Sequence, residues 1–171
     1  QAAKNSSVER QIYAVNLKGK MRTLINKVGV NNARFSSNFK YLININSTVD
    51  QPYQYVLFDN KGKQVRVLED NQEFAERMKE YNLAKKELVT ITDPAFVLPD
   101  GTQLEMETWR ILPPDFDPNK KYPVLIYVYG GPGHQTVMNS WNHSDYDWMQ
   151  ILAQNGIICV SINNRGGGAR G

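Results

Sequence analysis

The stretch Lys121-Tyr122-Pro123-Val124-Leu125-Ile126-Tyr127-Val128-Tyr129-Gly130-Gly131-Pro132, read together with Ile157-Ile158-Cys159-Val160-Ser161-Ile162, decides the fold of this 171-residue chain. Val124–Val128 is a short apolar run, the pattern of a strand buried on both faces. Asp145 to Asn155 carries helical spacing through Trp148, Ile151 and Leu152 and ends at Gly156, a C-cap residue. Ile157–Ile162 is a second apolar run. Strand, helix and strand joined by short links predict a parallel βαβ crossover, the unit of α/β domains.

Upstream of this unit, Leu88–Val97 and Gln103–Leu112 read as two strands around the Pro99-Asp100-Gly101 turn. Pro113 to Pro118 then forms a rigid loop, because proline cannot continue a ladder. Asp70 with Glu73 three residues on is a capping-box pattern, and Phe74, Met78 and Tyr81 recur at helical spacing. A short amphipathic helix is therefore expected over 71–81, its apolar stripe used for packing. The first 70 residues read as short strands: 11–15 and 21–25 in one hairpin, 41–45 alone, and 53–58 with 64–68 in a second hairpin around Asp59-Asn60-Lys61-Gly62. Such spacing suits a sandwich and propeller blades equally well.

Residues 1–89 hold 15 Lys and Arg against 9 Asp and Glu, whereas 90–171 hold 5 against 8. This change of sign marks two modules, with a border near residue 89. The net charge of +3 and the lack of a basic-aromatic cluster argue against nucleic acid as a partner. No apolar stretch reaches the roughly 18–20 residues of a membrane helix. Cys159 is the only cysteine, so neither an internal disulfide nor a cysteine-based zinc site is available. Its apolar surroundings predict an inert buried thiol.

Several segments together resemble the prolyl oligopeptidase family of serine peptidases, and most its dipeptidyl peptidase IV branch. Lys121–Pro132 is similar to the strand and turn that build the family's oxyanion site, and Ile111–Asp117 to the approach to that strand. Asn163-Asn164-Arg165-Gly166-Gly167-Gly168 is similar to the glycine-rich loop after the next strand. Val67–Asn71 resembles the end of the family's propeller and its linker. The resemblance implies a mixed fold, with the last strands of an antiparallel β-propeller over 1–70 and a helical linker over 71–88. The first part of an α/β-hydrolase domain would follow over 89–171. It implies a serine exopeptidase that removes X-Pro or X-Ala dipeptides from peptide N-termini, without a cofactor. An oligopeptidase, an acylaminoacyl peptidase, or a non-catalytic binding protein of the same architecture are the alternatives.

Tyr129 is the main candidate site residue. It ends an apolar strand and precedes Gly130-Gly131-Pro132, and active sites of α/β sheets lie at the C-terminal ends of strands. A phenol there can donate a hydrogen bond to an oxyanion without carrying charge, or can simply pack at the sheet edge; the resemblance implies the first role. Arg165 is the candidate substrate-binding residue, for a carbonyl or carboxylate, with bracing of its loop as the alternative. Tyr127 shares the face of Tyr129 but takes no chemical role. His134 and His143 lack the carboxylate spacing of a zinc site, and the resemblance places the general base elsewhere. Glu105 and Glu107 read as surface residues. No G-x-S-x-G nucleophile elbow occurs in the chain. The chain starts without Met and stops after the second buried strand, so it is expected to be an inactive fragment with its serine, acid and histidine beyond Gly171. An uncovered sheet edge and homo-oligomerisation are expected in consequence. The resemblance also implies a periplasmic or secreted enzyme.

Overall fold

The computed structural model describes residues 1–141, 145–164 and 166–169. Most of its regular structure is β-sheet, with few helices. It divides into two compact units: Gln1–Tyr81 with Met138–Trp141, and Asn82–Val137 with the described residues from Asp145 onward.

In the first unit, β1 (Ile12–Val15) and β2 (Met21–Ile25) form an antiparallel pair. A four-stranded antiparallel meander follows, made of β3 (Val30–Phe35), β4 (Tyr41–Ser47), β5 (Gln54–Asp59) and β6 (Gln64–Glu69) in that order. Ile12, Ile25, Leu42, Val56 and Phe58 form the core between these strands. The hairpin turn at Asp59 closes as its sequence predicts. The Asp59 carboxylate accepts hydrogen bonds from the backbone N–H groups of Lys63 (2.8 Å) and Lys61 (2.9 Å). These bonds, with the nearby Lys61 charge, hold its carboxyl below the usual range. Gly62 adopts φ 89°, and a Cβ there would collide with the Leu24 carbonyl oxygen, so only glycine fits this turn.

The strand over 41–45, which its sequence presents as a lone one, has a partner on each side. It pairs with β3, whose Val-Asn-Asn-Ala-Arg-Phe run has neither alternation nor β-formers enough to announce a strand. The buried face of β4 is equally contrary to type. Leu42, Asn44 and Asn46 point inward while Ile43 and Ile45 are only half-buried. The asparagines are tolerated because their amide N–H groups are bonded, although Asn44 Oδ1 has no partner among the described residues. Asn44 Nδ2 donates to Asn31 Oδ1 (2.9 Å), and Asn31 Nδ2 donates to the carbonyls of Lys27 (2.8 Å) and Arg10 (2.9 Å). Asn139 joins the same unit. Its N–H donates to Val8 O (2.8 Å), its carbonyl accepts from Val30 N (3.1 Å), its Oδ1 accepts from Val49 N (3.1 Å), and its Nδ2 donates to Glu9 Oε1 (3.0 Å).

Helix α1 (Gln72–Met78) starts one residue later than its capping pattern implies. Asn71, at φ 54°, is the N-cap, and its side chain is drawn away to the Tyr53 carbonyl (2.5 Å). Asp70 instead accepts from Gln72 N (3.1 Å). No residue of this helix is buried, so the Phe74, Met78 and Tyr81 stripe is not core. Phe74 makes an edge-on contact with Trp141 at 6.5 Å.

The second unit is a four-stranded sheet of order β7-β8-β10-β9. β7 (Lys86–Val97) and β8 (Gln103–Ile111) form a long antiparallel hairpin, and β8 also pairs antiparallel with β10 (Ile158–Ile162). β10 runs parallel to β9 (Val124–Tyr127), and α2 (Tyr146–Gln154) connects them, the crossover that the sequence predicts. The helix ends in a Schellman arrangement: Ile157 N donates to Leu152 O and Gly156 N to Ala153 O, both at 3.0 Å, with Gly156 at φ 77°.

The face that α2 buries differs from the expected one. Tyr146, Met149, Gln150 and Ala153 are inside, while Trp148 and Ile151 are exposed. Both sets have helical spacing, and the polar Gln150 hid the buried one. Its amide is satisfied by Ala84, accepting from the N–H and donating to the carbonyl, each at 2.8 Å. β9 also departs from expectation. Val124, Ile126 and Val128, on one face of the strand, are exposed, not buried, because nothing among the described residues covers that face.

Trp109, Ile111, Met149, Ala153 and Cys159 are fully buried in this unit. Burial pushes the Cys159 thiol up, which suits the inert role read from its sequence. Lys86 is buried too. Its ammonium sits 5.6 Å from the centre of the Trp109 ring, and burial pushes its pKa down from 10.5 to about 8. Among the described residues it has no ion-pair partner.

Candidate active site

β9 delivers Tyr129 to its position. The strand ends at Tyr127, and Val128 and Tyr129 continue past its C-terminal end before the chain turns at Gly130, which has φ 75°. That angle favours glycine, so the turn after the tyrosine is fixed by residue type. The Tyr129 side chain is 62% exposed, available to a reacting group and not packed away. Gly131 lies against its ring: a Cβ there would stand 3.1 Å from Tyr129 Cε1. The His134 ring flanks it as well, with centroids 4.6 Å apart and planes inclined at 54°.

The segment after this turn is anchored residue by residue. His134 O accepts from Gly168 N (3.2 Å). Thr136 O accepts from Trp109 Nε1 (3.0 Å), and Thr136 Oγ1 accepts from the Ser161 hydroxyl (2.7 Å). Val137 is held through both of its backbone polar groups. Its N–H donates to Asn163 Oδ1 and its carbonyl accepts from Asn163 Nδ2, each at 3.0 Å. Asn163, one residue beyond β10, thereby presents to Val137 the donor and acceptor that a neighbouring strand would offer. Val137 and Asn163 are both buried.

The structure thus brings His134 to Tyr129, a pairing that no local pattern predicts. Asn163 was visible only as part of the glycine-rich run, and a buried amide bonded to a distant loop leaves no periodic signal. Arg165 and His143 lie outside the described residues. Tyr127 is half-buried, Glu105 exposed and Glu107 half-buried. A cleft of about 290 Å³ opens between residues 82–87 and 112–116. It sits at the wrong end of the sheet for chemistry: Ile111 pairs with Cys159 at the start of β10, whereas Tyr129 follows the far end of β9.

A tyrosine hydroxyl beyond the C-terminal end of a parallel strand, on a glycine turn, is the kind of donor that acyl-transfer enzymes aim at a developing oxyanion. The relatives of this chain are, by name, peptidases. The chain's homologues are dipeptidyl peptidase 4 and dipeptidyl-aminopeptidase B proteins. It is 37% identical over 174 residues to a probable dipeptidyl-aminopeptidase B of Sclerotinia sclerotiorum, covering 98% of this chain and 18% of the relative. It is 34% identical over 176 residues to dipeptidyl peptidase 4 of Trichophyton rubrum, covering 99% of this chain and 22% of that protein. The crystal structure of Porphyromonas gingivalis dipeptidyl peptidase 4 matches with a TM-score of 0.84 at 38% identity, over 99% of this chain and 23% of that one. The chain therefore spans about a fifth of the length of these relatives. No protein-family model matches it.

Proposed function

We propose that this chain is part of a serine-type dipeptidyl peptidase that removes X-Pro or X-Ala dipeptides from peptide N-termini, with Tyr129 as the side-chain donor of its oxyanion hole. The observation that carries the reading is the exposed Tyr129 phenol just past the end of β9, on a turn that Gly130 fixes. The meander β3–β6 serves as a propeller blade, and the sheet β7-β8-β10-β9 as the opening of an α/β-hydrolase domain. The nucleophilic serine, its histidine and the second oxyanion donor, a backbone N–H beside the serine, come from outside these 171 residues. Serine attack on the scissile carbonyl places negative charge on its oxygen, and the phenol meets that charge as it forms.

The test is expression of the complete reading frame that carries this chain. Turnover of Gly-Pro-p-nitroanilide, abolished by a serine-reactive phosphonate, is the expected result. A protein that binds peptides but shows no turnover would make this a binding module instead. The 171-residue chain by itself is expected to show no hydrolysis.

The same reading predicts how the isolated chain behaves. Among the described residues β9 is the last strand of its sheet and carries exposed Val124, Ile126 and Val128, a surface that offers a second copy a place to pack. Self-association is expected in light scattering, and Ile126→Lys, which puts a charge on that surface, is expected to reduce it. A monodisperse monomer of the unsubstituted chain would remove the idea.

A further inference from the structure

We infer that His134–Val137 is a positioning strap for the Tyr129 phenol, with His134 as the brace against its ring and Asn163 as the pin that fixes the strap; the inference rests on the oxyanion reading of Tyr129. An exposed side chain on a glycine turn has rotamer freedom, and a donor that wanders loses most of its value to a transition state. Tyr129 has that problem. Its backbone is followed by Gly130 at φ 75° and, after Pro132, by Gly133 at φ 78°.

Two things limit the ring. Gly131 closes one approach, its Cα placed so that a Cβ would stand 3.1 Å from Tyr129 Cε1. The His134 imidazole closes another, at 4.6 Å between centroids. His134 is itself exposed, so it can brace only if its own backbone is fixed. The bonds beyond it supply that fixation. Gly168 N holds the His134 carbonyl, Trp109 and Ser161 hold Thr136, and the Asn163 amide holds both the N–H and the carbonyl of Val137. Asn163 is in turn set by its own N–H, which donates to Glu107 O (2.9 Å), so the pin is tied to β8. Gln135 adds a bond from Nε2 to Val137 O (2.9 Å).

Asn163 matters by chemistry as well as position. One amide supplies a donor and an acceptor side by side, which matches the N–H and C=O that a single residue of extended backbone turns to the same side. Alanine there removes the acceptor of the buried Val137 N–H and one of the two side-chain donors to its carbonyl, leaving Gln135 Nε2 on the latter. Neither His134 nor Asn163 needs to touch substrate, and both act through Tyr129.

The experiment uses the complete peptidase with Gly-Pro-p-nitroanilide. His134→Ala, at an exposed site where folding is not at stake, is expected to lower kcat about tenfold with KM nearly unchanged, since misplacing a reacting group by about 1 Å costs up to roughly 10²-fold. His134→Phe restores a flat ring and is expected to recover most of the loss. Asn163→Ala, checked for folding by its melting curve, is expected to mimic His134→Ala. Because the effect runs through the phenol, neither substitution lowers kcat further in a Tyr129→Phe background. If Tyr129→Phe reduces kcat but His134→Ala does not, the strap is overturned and the oxyanion reading stands. The strap is also overturned if His134→Ala costs as much in the Tyr129→Phe background as alone. If Tyr129→Phe itself costs nothing, the oxyanion reading fails and takes the strap with it.

Discussion

Tyr129→Phe in the complete peptidase is expected to lower kcat by about 10²–10³ while KM moves little, the loss typical of one oxyanion-hole donor. The split follows from when the hydrogen bond forms. A ground-state carbonyl carries little charge, so the phenol adds little to binding; the tetrahedral oxyanion carries a full charge, so it adds much to the transition state. Phenylalanine keeps the ring that packs on His134 and Gly131 and removes only the hydroxyl. Folding is therefore not the explanation of a loss. Single-turnover kinetics with the same substrate check this directly, because acylation slows and the burst flattens. A Tyr129→Phe enzyme with unchanged kcat would show that the phenol faces away from the reacting carbonyl.

Lys86→Met is expected to stabilise the second unit at pH 7 and to remove a pH dependence above it. Lys86 lies buried on Trp109 with its pKa pushed from 10.5 to about 8. Below about pH 8 both folded and unfolded chains hold the proton, and the folded state bears the full cost of a desolvated charge. Between about 8 and 10.5 the folded state has released the proton while the unfolded chain still holds it. The unfolded state then binds more protons, so stability rises with pH across that window and levels off above it. The rise amounts to about 3 kcal/mol, offset at low pH by a cation–π attraction of about 1 kcal/mol. Methionine fills a similar volume without a charge. Urea unfolding of both proteins from pH 7 to 11 gives the difference, which should be largest at pH 7 and shrink toward pH 10.5. Parallel curves would mean that Lys86 titrates as an ordinary exposed lysine.

The crossover β9–α2–β10 was readable because apolar runs and a glycine C-cap signal themselves locally. What could not be read was which atoms polar residues would find. Asn31, Asn44, Gln150 and Asn163 are buried because each meets a backbone or amide partner far along the chain, and such pairing has no period. Pattern reading therefore missed β3 and assigned the wrong face to α2. Burial in β9 was misjudged for another reason: apolar composition marks a strand that something can cover, and does not say that its neighbours here do so. Tyr129 was legible from its strand and glycines, whereas its contact with His134 depends on a loop path that no local rule predicts.

The place of Met138–Trp141 in the first unit bears on the order in which the protein is made. Asn139 supplies hydrogen bonds to Val8, Glu9, Val30 and Val49, yet it leaves the ribosome long after those residues. During synthesis the meander can pair its own strands as they emerge, because β3 to β6 are consecutive neighbours. The groups that await Asn139 stay open to water, or to a chaperone, until Trp141 has been translated. A segment made earlier is thus finished only by one made later, and a ribosome stalled at Tyr81 would display a sheet without its closing segment.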